Sequence, residues 1–142
     1  MTLTHDRRAE LLAGCPLFKS IDAEGLAKLA ALATPVDFPA GHVIARQGEI
    51  GTGLFVIIEG AVRVVRDGEE LARLGSGDFF GEMSVIDGLP RVAQVVATEP
   101  TRCLALASWE FERLVLDNPT IGLAILRGLS ARLRAKTEPP QH

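Results

Sequence analysis

The sequence predicts a mainly β domain, a sandwich or barrel of about eight short strands that has helices before and after it in the chain. Ten of the 14 glycines lie between Gly41 and Gly88, which places a turn every few residues in that stretch. Short runs of Val, Ile, Leu and Phe separate these turns. On both sides of the stretch, apolar residues recur at three- and four-residue steps behind helix-capping residues, so helices are predicted there.

The first helix that the residues support begins after Asp22 and runs to about Ala33. An Asp at the N-cap accepts a hydrogen bond from the free N–H groups of the first helical turn. Leu26, Leu29 and Ala30 fall on the same stripe as Ala33, which gives this helix one apolar face.

The strand candidates follow one another along the glycine-rich stretch and beyond it. They are residues 35–38, 43–46, 54–58, 61–66, 69–74, 93–97 and 102–106. Asp67 and Gly68 form a two-residue hairpin turn between two of these strands, because both residues tolerate a positive φ. Val62 and Val64 lie on one face of their strand, since side chains alternate along a strand.

Two more helices are predicted after the strands. Ser108 can cap a short helix over 109–116. Asn118 as N-cap and Pro119 at the first helical position then start a longer one that ends near Lys136. Several cations lie in the second half of the longer helix, where they suit the helix dipole, and we interpret them as a solvated helix face and not as a nucleic-acid surface.

Composition excludes several kinds of partner and location. A chain of 142 residues with 47% hydrophobic and 23% charged residues suits one globular domain. Its net charge of −3 gives no bulk attraction to nucleic acid. We see neither an apolar run long enough to span a membrane nor an apolar signal-peptide centre, and two distant cysteines, Cys15 and Cys103, suggest reduced thiols. A cytoplasmic protein is therefore expected.

The common catalytic constellations are also missing from the sequence. The three histidines, His5, His42 and His142, are too far apart in the chain for a zinc-binding pair or for the metal site of a cupin-type enzyme. The only serine between two glycines, Ser76, fits a turn better than a nucleophile elbow. The sequence therefore predicts no enzyme, metal or cofactor.

One stretch, residues 77–93, differs from the β pattern around it and carries the candidate chemistry. Gly81 would let the backbone approach a ligand closely. Arg91 offers a planar, permanently charged fork that suits a phosphate, and Glu82 can accept hydrogen bonds from sugar hydroxyls. Together these residues suit a ribose phosphate, although an ion pair between Glu82 and Arg91 on the surface is the simpler alternative.

The same stretch resembles the phosphate-binding cassette of the cyclic nucleotide-binding domain family, the type found in cAMP receptor protein and in protein kinase A regulatory domains. The similarity lies in Phe80-Gly81-Glu82, an aliphatic and a small residue, a spacer, and Pro90-Arg91-Val92-Ala93. Upstream, Gly48-Glu49 and residues 54–64 resemble the family's early strands. The resemblance extends over about residues 10 to 136.

The resemblance implies an eight-stranded β jelly roll over residues 35–107 with the cassette at 79–93, an N-terminal helical segment over 1–34 and C-terminal helices over 108–137, all in one domain. It implies that Arg91 pairs with the cyclic phosphate and Glu82 with the ribose 2′-hydroxyl beside the Gly81 backbone. Further ligand contacts are implied for the backbone near Ser84, Val92 and Ala93. Met83 and Val64 either line the pocket or pack in the core. A last-helix residue would cap the base, and the candidates are Leu126, Leu129, Leu133, Arg132 and Arg134.

We therefore expect a non-catalytic, cytoplasmic cAMP sensor that couples ligand binding to movement of its C-terminal helices. cGMP is a less suitable ligand, because Val92 has no hydroxyl to bond guanine. Only six residues follow Lys136, so we expect no DNA-binding domain, no direct nucleic-acid or membrane contact and an unidentified protein effector. The alternatives are a jelly-roll scaffold that no longer binds nucleotide, or the sensor fragment of a transcription regulator or another larger effector.

Overall fold

The computed structural model describes residues 3–51 and 53–137. Helix α1 (His5–Ala13), a short 3-10 helix (Pro16–Phe18) and α2 (Ala23–Leu32) precede the strands. The strands are β1 (Thr34–Phe38), β2 (Val43–Ala45), β3 (Gly53–Glu59), β4 (Val62–Arg66), β5 (Glu69–Leu74), β6 (Phe79–Phe80), β7 (Gln94–Ala97) and β8 (Thr101–Ala107). Helix α3 (Glu82–Asp87) lies between β6 and β7, and α4 (Ser108–Asp117) and α5 (Pro119–Thr137) follow β8.

The strands form two antiparallel sheets of four strands each. One sheet has the order β1-β8-β3-β6 and the other β2-β7-β4-β5. Strands that are far apart in sequence are therefore neighbours, as the long connections of a jelly roll require. The prediction of an eight-stranded jelly roll with flanking helices is confirmed.

Alternation along β3 explains how one sheet serves two apolar layers. Leu54 and Val56 are buried against the helices, whereas Ile57 is buried between the two sheets and Phe55 packs beside it. Side chains of a strand point alternately to opposite faces, so one sheet contributes to both clusters. The larger cluster joins the helices to the first sheet, and the smaller cluster fills the roll.

Both cysteines lie in these apolar layers as thiols. Burial raises the pKa of Cys15 to about 11 and that of Cys103 to about 12. Neither thiol is ionised at neutral pH. Within the described residues, no helix combines the length and the apolar character that crossing a membrane requires.

The caps of the helices agree with the sequence in part. Asp22 is the N-cap of α2, and its side chain accepts a hydrogen bond from the Gly25 N–H, as predicted. Ser108 was wrongly predicted as the cap of α4. Strand β8 stays extended through Ala107, which takes the N-cap position, so Ser108 is already the first helical residue. Helix α5 begins at Pro119, as predicted. The side-chain oxygen of Asn118, the residue predicted as its N-cap, accepts a hydrogen bond from Lys28 Nζ of α2 at 2.7 Å.

The eighth strand is β6, a two-residue strand that the sequence pattern did not separate from the cassette. Phe79 and Phe80 pair with Val56 and Phe55 of β3. Because the two residues point to opposite faces, Phe79 joins the helical layer and Phe80 joins the cluster inside the roll. Strand β6 therefore fixes where the cassette leaves the sheet.

Candidate functional site

The chain changes from strand to helix at Gly81, which adopts a φ of +89°, a conformation that L side chains rarely adopt. A Cβ on Gly81 would lie 2.7 Å from the Gly53 carbonyl oxygen and 2.8 Å from Nη1 of Arg91. Both distances are shorter than an ordinary van der Waals contact. Glycine at this position therefore permits the turn and keeps the space beside Arg91 open.

Arg91 is a half-buried cation at the end of the cassette. Its Nη2 donates a hydrogen bond to the Gly53 carbonyl oxygen at 3.0 Å. Burial lowers the pKa of the guanidinium, and the negative charge of Glu82 opposes that shift. Because an arginine side chain is not deprotonated in proteins, the group stays charged at neutral pH. A partly desolvated guanidinium with several N–H donors suits a phosphate or another anion.

Glu82 is the first residue of α3, and its side chain is only 14% exposed. Its Oε2 accepts a hydrogen bond from Nη1 of Arg132 in α5 at 2.9 Å. The Arg132 guanidinium also lies over the Phe79 ring, 4.5 Å from the centroid, which is a cation–π contact. The alternative expected from the sequence, a surface ion pair between Glu82 and Arg91, is therefore wrong. The Glu82 carboxylate pairs with Arg132 of the last helix instead.

The other residues predicted for the site lie around this centre. Val64 is half-buried on β4 and packs against the cluster inside the roll, and Ala93 is half-buried just before β7. Met83 is 56% exposed and Val92 is 52% exposed, so neither side chain packs in the core. For Ser84 only the backbone, within α3, is described. The ligand contacts of these five residues stay predictions.

Several residues of the site were missed by sequence reasoning. Gly51 and Gly53 contact the Arg91 guanidinium from the loop before β3 and from β3 itself, and Phe79 lies under Arg132. Arg132 was one of five candidates for capping the base and is the one whose contact with Glu82 brings it to the cassette. The glycines were visible in sequence, but only as turn signals.

Two cavities adjoin the cassette. The smaller one has a volume of about 180 Å³ and is lined by residues that include Arg46, Glu49, Phe55 and Arg91. The larger one, about 890 Å³, is an apolar groove between α3 and helices α4 and α5. In the described part of the chain, no group of three or more His, Cys, Asp or Glu side chains could hold a metal ion.

Comparison with known proteins identifies the family. The family model of the cyclic nucleotide-binding domain matches residues 35–118, which is more than half of the chain. The chain belongs to this family. The cyclic nucleotide-binding domain described here is 35% identical over 130 residues to the CRP-like cAMP-activated global transcriptional regulator of Mycobacterium tuberculosis, a match that covers 88% of this chain and 58% of the regulator. It is 38% identical over 119 residues to a cyclic nucleotide-gated potassium channel of Rhizobium etli, covering 84% of this chain and 33% of the channel.

Solved structures agree with this assignment. The catabolite activator protein of Thermus thermophilus matches with a TM-score of 0.73 and 34% identity over 85% of this chain and 59% of that one. The N-terminal domain of a transcriptional regulator from Streptomyces coelicolor A3(2) matches with a TM-score of 0.78 and 32% identity over 90% of this chain and 95% of that one. The chain spans between a third and three fifths of the length of the regulator and the channel. Both relatives are named for regulation or gating.

Proposed function

We propose that this domain is a non-catalytic cAMP sensor in the cytoplasm, in which nucleotide binding moves the C-terminal helices. The observation that carries the proposal is that the Gly81 turn has a carboxylate and a cation beside it: Glu82 follows Gly81 directly, and the Arg91 guanidinium lies against the Gly81 backbone. A fixed cation suits the cyclic phosphate, and a nearly buried carboxylate suits a ribose hydroxyl. The backbone N–H groups near Ser84, Val92 and Ala93 add donors for the phosphate.

The preference for cAMP rests on position 92. Val92 lies next to Arg91 and offers no hydroxyl with which to bond the edge of guanine, so nothing at this position favours cGMP. The mycobacterial relative, 35% identical, is described as cAMP-activated, which supports the same ligand. Met83 and Val64 are proposed as apolar contacts of the bound nucleotide.

Helix movement is proposed from the contact between Glu82 and Arg132. The same carboxylate that would bind the ribose accepts a charged hydrogen bond from α5. A ribose hydroxyl that bonds this carboxylate would compete with Arg132, so the nucleotide would favour a conformation in which α5 has moved away from Glu82. The cavity of about 180 Å³ at Arg91 is smaller than the ~300–1,000 Å³ of typical ligand pockets, which agrees with an opening step on binding.

A jelly-roll scaffold that binds no nucleotide is the second candidate, because Oε2 of Glu82 already accepts a hydrogen bond from Arg132. In the sensor, the signal would pass from α5 to a protein effector or an attached domain. We propose that this chain makes no direct contact with nucleic acid or membrane.

Calorimetric titration with cAMP, cGMP and cyclic di-GMP tests the ligand, with 5′-AMP as the acyclic control. We expect cAMP to bind most tightly and to be recovered unchanged, without formation of AMP. Absence of heat and of thermal stabilisation at millimolar cAMP would favour the scaffold. Protein-dependent AMP would overturn the non-enzymatic assignment.

Helix movement is tested by spin labels on cysteines placed at two exposed positions, Arg66 of β4 and Ser130 of α5, since the buried native thiols resist labelling. We expect the distance distribution between the labels to change when cAMP is added. Binding without any change in this distribution would contradict the coupling while leaving the sensor itself intact.

A further inference from the structure

We propose that Gly51 is a positioning residue for Arg91: its missing side chain is the space in which the guanidinium lies. The consequence for nucleotide affinity rests on the proposed function, whereas the geometric claim does not. Gly51 is buried in the loop before β3, and residue 51 has no predicted contact with the nucleotide.

The contact between Gly51 and the guanidinium is unusually close. A Cβ on Gly51 would lie 2.4 Å from Cζ of Arg91, 2.5 Å from Nη2 and 2.6 Å from Nε. All three distances involve one planar group, so the guanidinium lies directly against the Gly51 backbone. An alanine would have to displace it by about 1 Å, because ordinary contacts begin near 3.4 Å.

The same loop also holds the backbone of Arg91. The Arg91 N–H donates to the Glu49 carbonyl oxygen at 2.7 Å, and the Gly48 N–H donates to the Arg91 carbonyl oxygen at 2.8 Å. Ile50 and Pro90 form an isolated antiparallel bridge between the two segments. These contacts fix the backbone from which the Arg91 side chain extends. The space left by the missing side chain of Gly51 fixes the position of the guanidinium.

Holding the guanidinium in this way prepares the cation before the ligand arrives. A free arginine side chain loses rotamer freedom when it is ordered. Where the site has already ordered it, the nucleotide does not bear that cost. The loop around Gly51 therefore contributes to phosphate affinity by placing the Arg91 guanidinium.

Gly51→Ala isolates this contact. Gly51 does not have a positive φ, so alanine introduces no backbone strain, and the group that must move is the end of a flexible side chain. We expect the variant to fold with unchanged secondary structure and to bind cAMP roughly ten- to a hundredfold more weakly, the loss of one charge-assisted hydrogen bond. Gly75→Ala is the matched control, since its Cβ would meet only the Gly60 carbonyl oxygen at 4.0 Å. We expect the control to bind within twofold of the parent.

A double-variant cycle tests whether Gly51 acts through Arg91. In an Arg91→Ala background, Gly51→Ala is expected to cost nothing further, because the group that it displaces is gone. Equal losses in both backgrounds, or parental affinity of Gly51→Ala itself, would overturn the inference. If Gly51→Ala fails to fold, the double variant is expected to restore folding. Failure of the double variant as well would show that the glycine serves backbone packing instead.

An NMR measurement without nucleotide separates this inference from the proposed function. We expect the Nε–Hε signal of Arg91, assigned by its loss in Arg91→Ala, to shift or broaden in Gly51→Ala and to stay in place in Gly75→Ala. A parent that does not bind cAMP would refute the proposed function, yet this signal would still decide the positioning role. An unmoved signal in Gly51→Ala would refute the positioning role alone.

Discussion

The hydrogen bond between Arg132 and Glu82 ties α5 to the cassette, and in the proposed mechanism the nucleotide must break it. Replacing Arg132 by alanine removes this hydrogen bond, and we expect cAMP to bind more tightly as a result. The two charged groups are 2.9 Å apart, with side chains 35% and 14% exposed. A partly exposed pair contributes up to ~1 kcal/mol, and the stacking over Phe79 adds ~0.5–1 kcal/mol.

Together these contacts stabilise the observed position of α5 by about 0.5–2 kcal/mol. At about 1.4 kcal/mol per tenfold change, Arg132→Ala should raise the affinity for cAMP by roughly 2- to 30-fold. Removing Arg132 also leaves the Glu82 carboxylate without this hydrogen-bond partner, so a hydrogen bond from the ribose hydroxyl should contribute more to binding. Both effects raise the affinity for cAMP. We further expect a lower melting temperature for the ligand-free variant and a larger increase when cAMP is added.

Calorimetry of the parent, Arg132→Ala and Arg127→Ala checks this expectation. Arg127 is an exposed cation on the same helix, so its removal controls for the change in net charge. We expect Arg127→Ala to match the parent. If Arg132→Ala binds cAMP as the parent does, or more weakly, Arg132 does not compete with the nucleotide, and the proposed release of α5 is refuted.

Three other expectations follow from separate contacts. Val92→Thr adds a hydroxyl worth ~0.5–1.5 kcal/mol when it bonds guanine, so the preference for cGMP relative to cAMP should rise roughly two- to twelvefold in paired titrations; an unchanged ratio would show that position 92 does not set selectivity. Gly128→Ala would bring a Cβ to 2.5 Å from the Leu17 carbonyl oxygen, a backbone atom that cannot move away easily. Overpacking should therefore destabilise the domain, measured without nucleotide, by ~1–3 kcal/mol in urea unfolding. Parental stability would mean that α5 does not pack on the 3-10 helix in solution. Burial raises the pKa of Cys15 to about 11 and that of Cys103 to about 12, so the unfolded chain loses these thiol protons first as the pH rises. The free energy of unfolding should therefore fall above the ordinary thiol pKa of 9.0, up to about pH 11 for Cys15 and about pH 12 for Cys103, by at most ~1.4 kcal/mol per pH unit for each thiol. A variant with alanine at both cysteines should lack this part of the decline. An equal decline in that variant would show that the two thiols do not cause it.

Much of the fold could be predicted from the sequence because local patterns determine it. The glycine turns, the alternation of Val62 and Val64 and the Asp22 cap are all short-range signals. Strand β6 was missed because two residues carry no period, and Phe79 and Phe80 become a strand only through pairing with β3. The Ser108 cap was wrong because the extended end of β8 decides where α4 begins.

The residues of the site also divide into those that local sequence patterns reveal and those that only the fold brings together. Gly81, Glu82 and Arg91 lie in one contiguous motif, which made them visible in the sequence. The partners that hold the two charged residues are distant in the chain: Gly53 is 38 residues from Arg91, and Arg132 is 50 residues from Glu82. Such contacts arise from packing α5 and the loop before β3 against the cassette, and no periodicity or spacing in a single sequence encodes them.

The affinity of Arg91→Ala for cAMP is the most direct test of the central claim that this arginine binds the cyclic phosphate. The matched control is Arg113→Ala, which removes an exposed α4 cation whose ion pair with Asp117 is worth little. Loss of the charged partner of a partly desolvated phosphate costs roughly 2–5 kcal/mol, so Arg91→Ala should bind between about 30-fold and several thousand-fold more weakly than the control. Binding of Arg91→Ala within threefold of Arg113→Ala would contradict the assignment of Arg91 as the phosphate ligand.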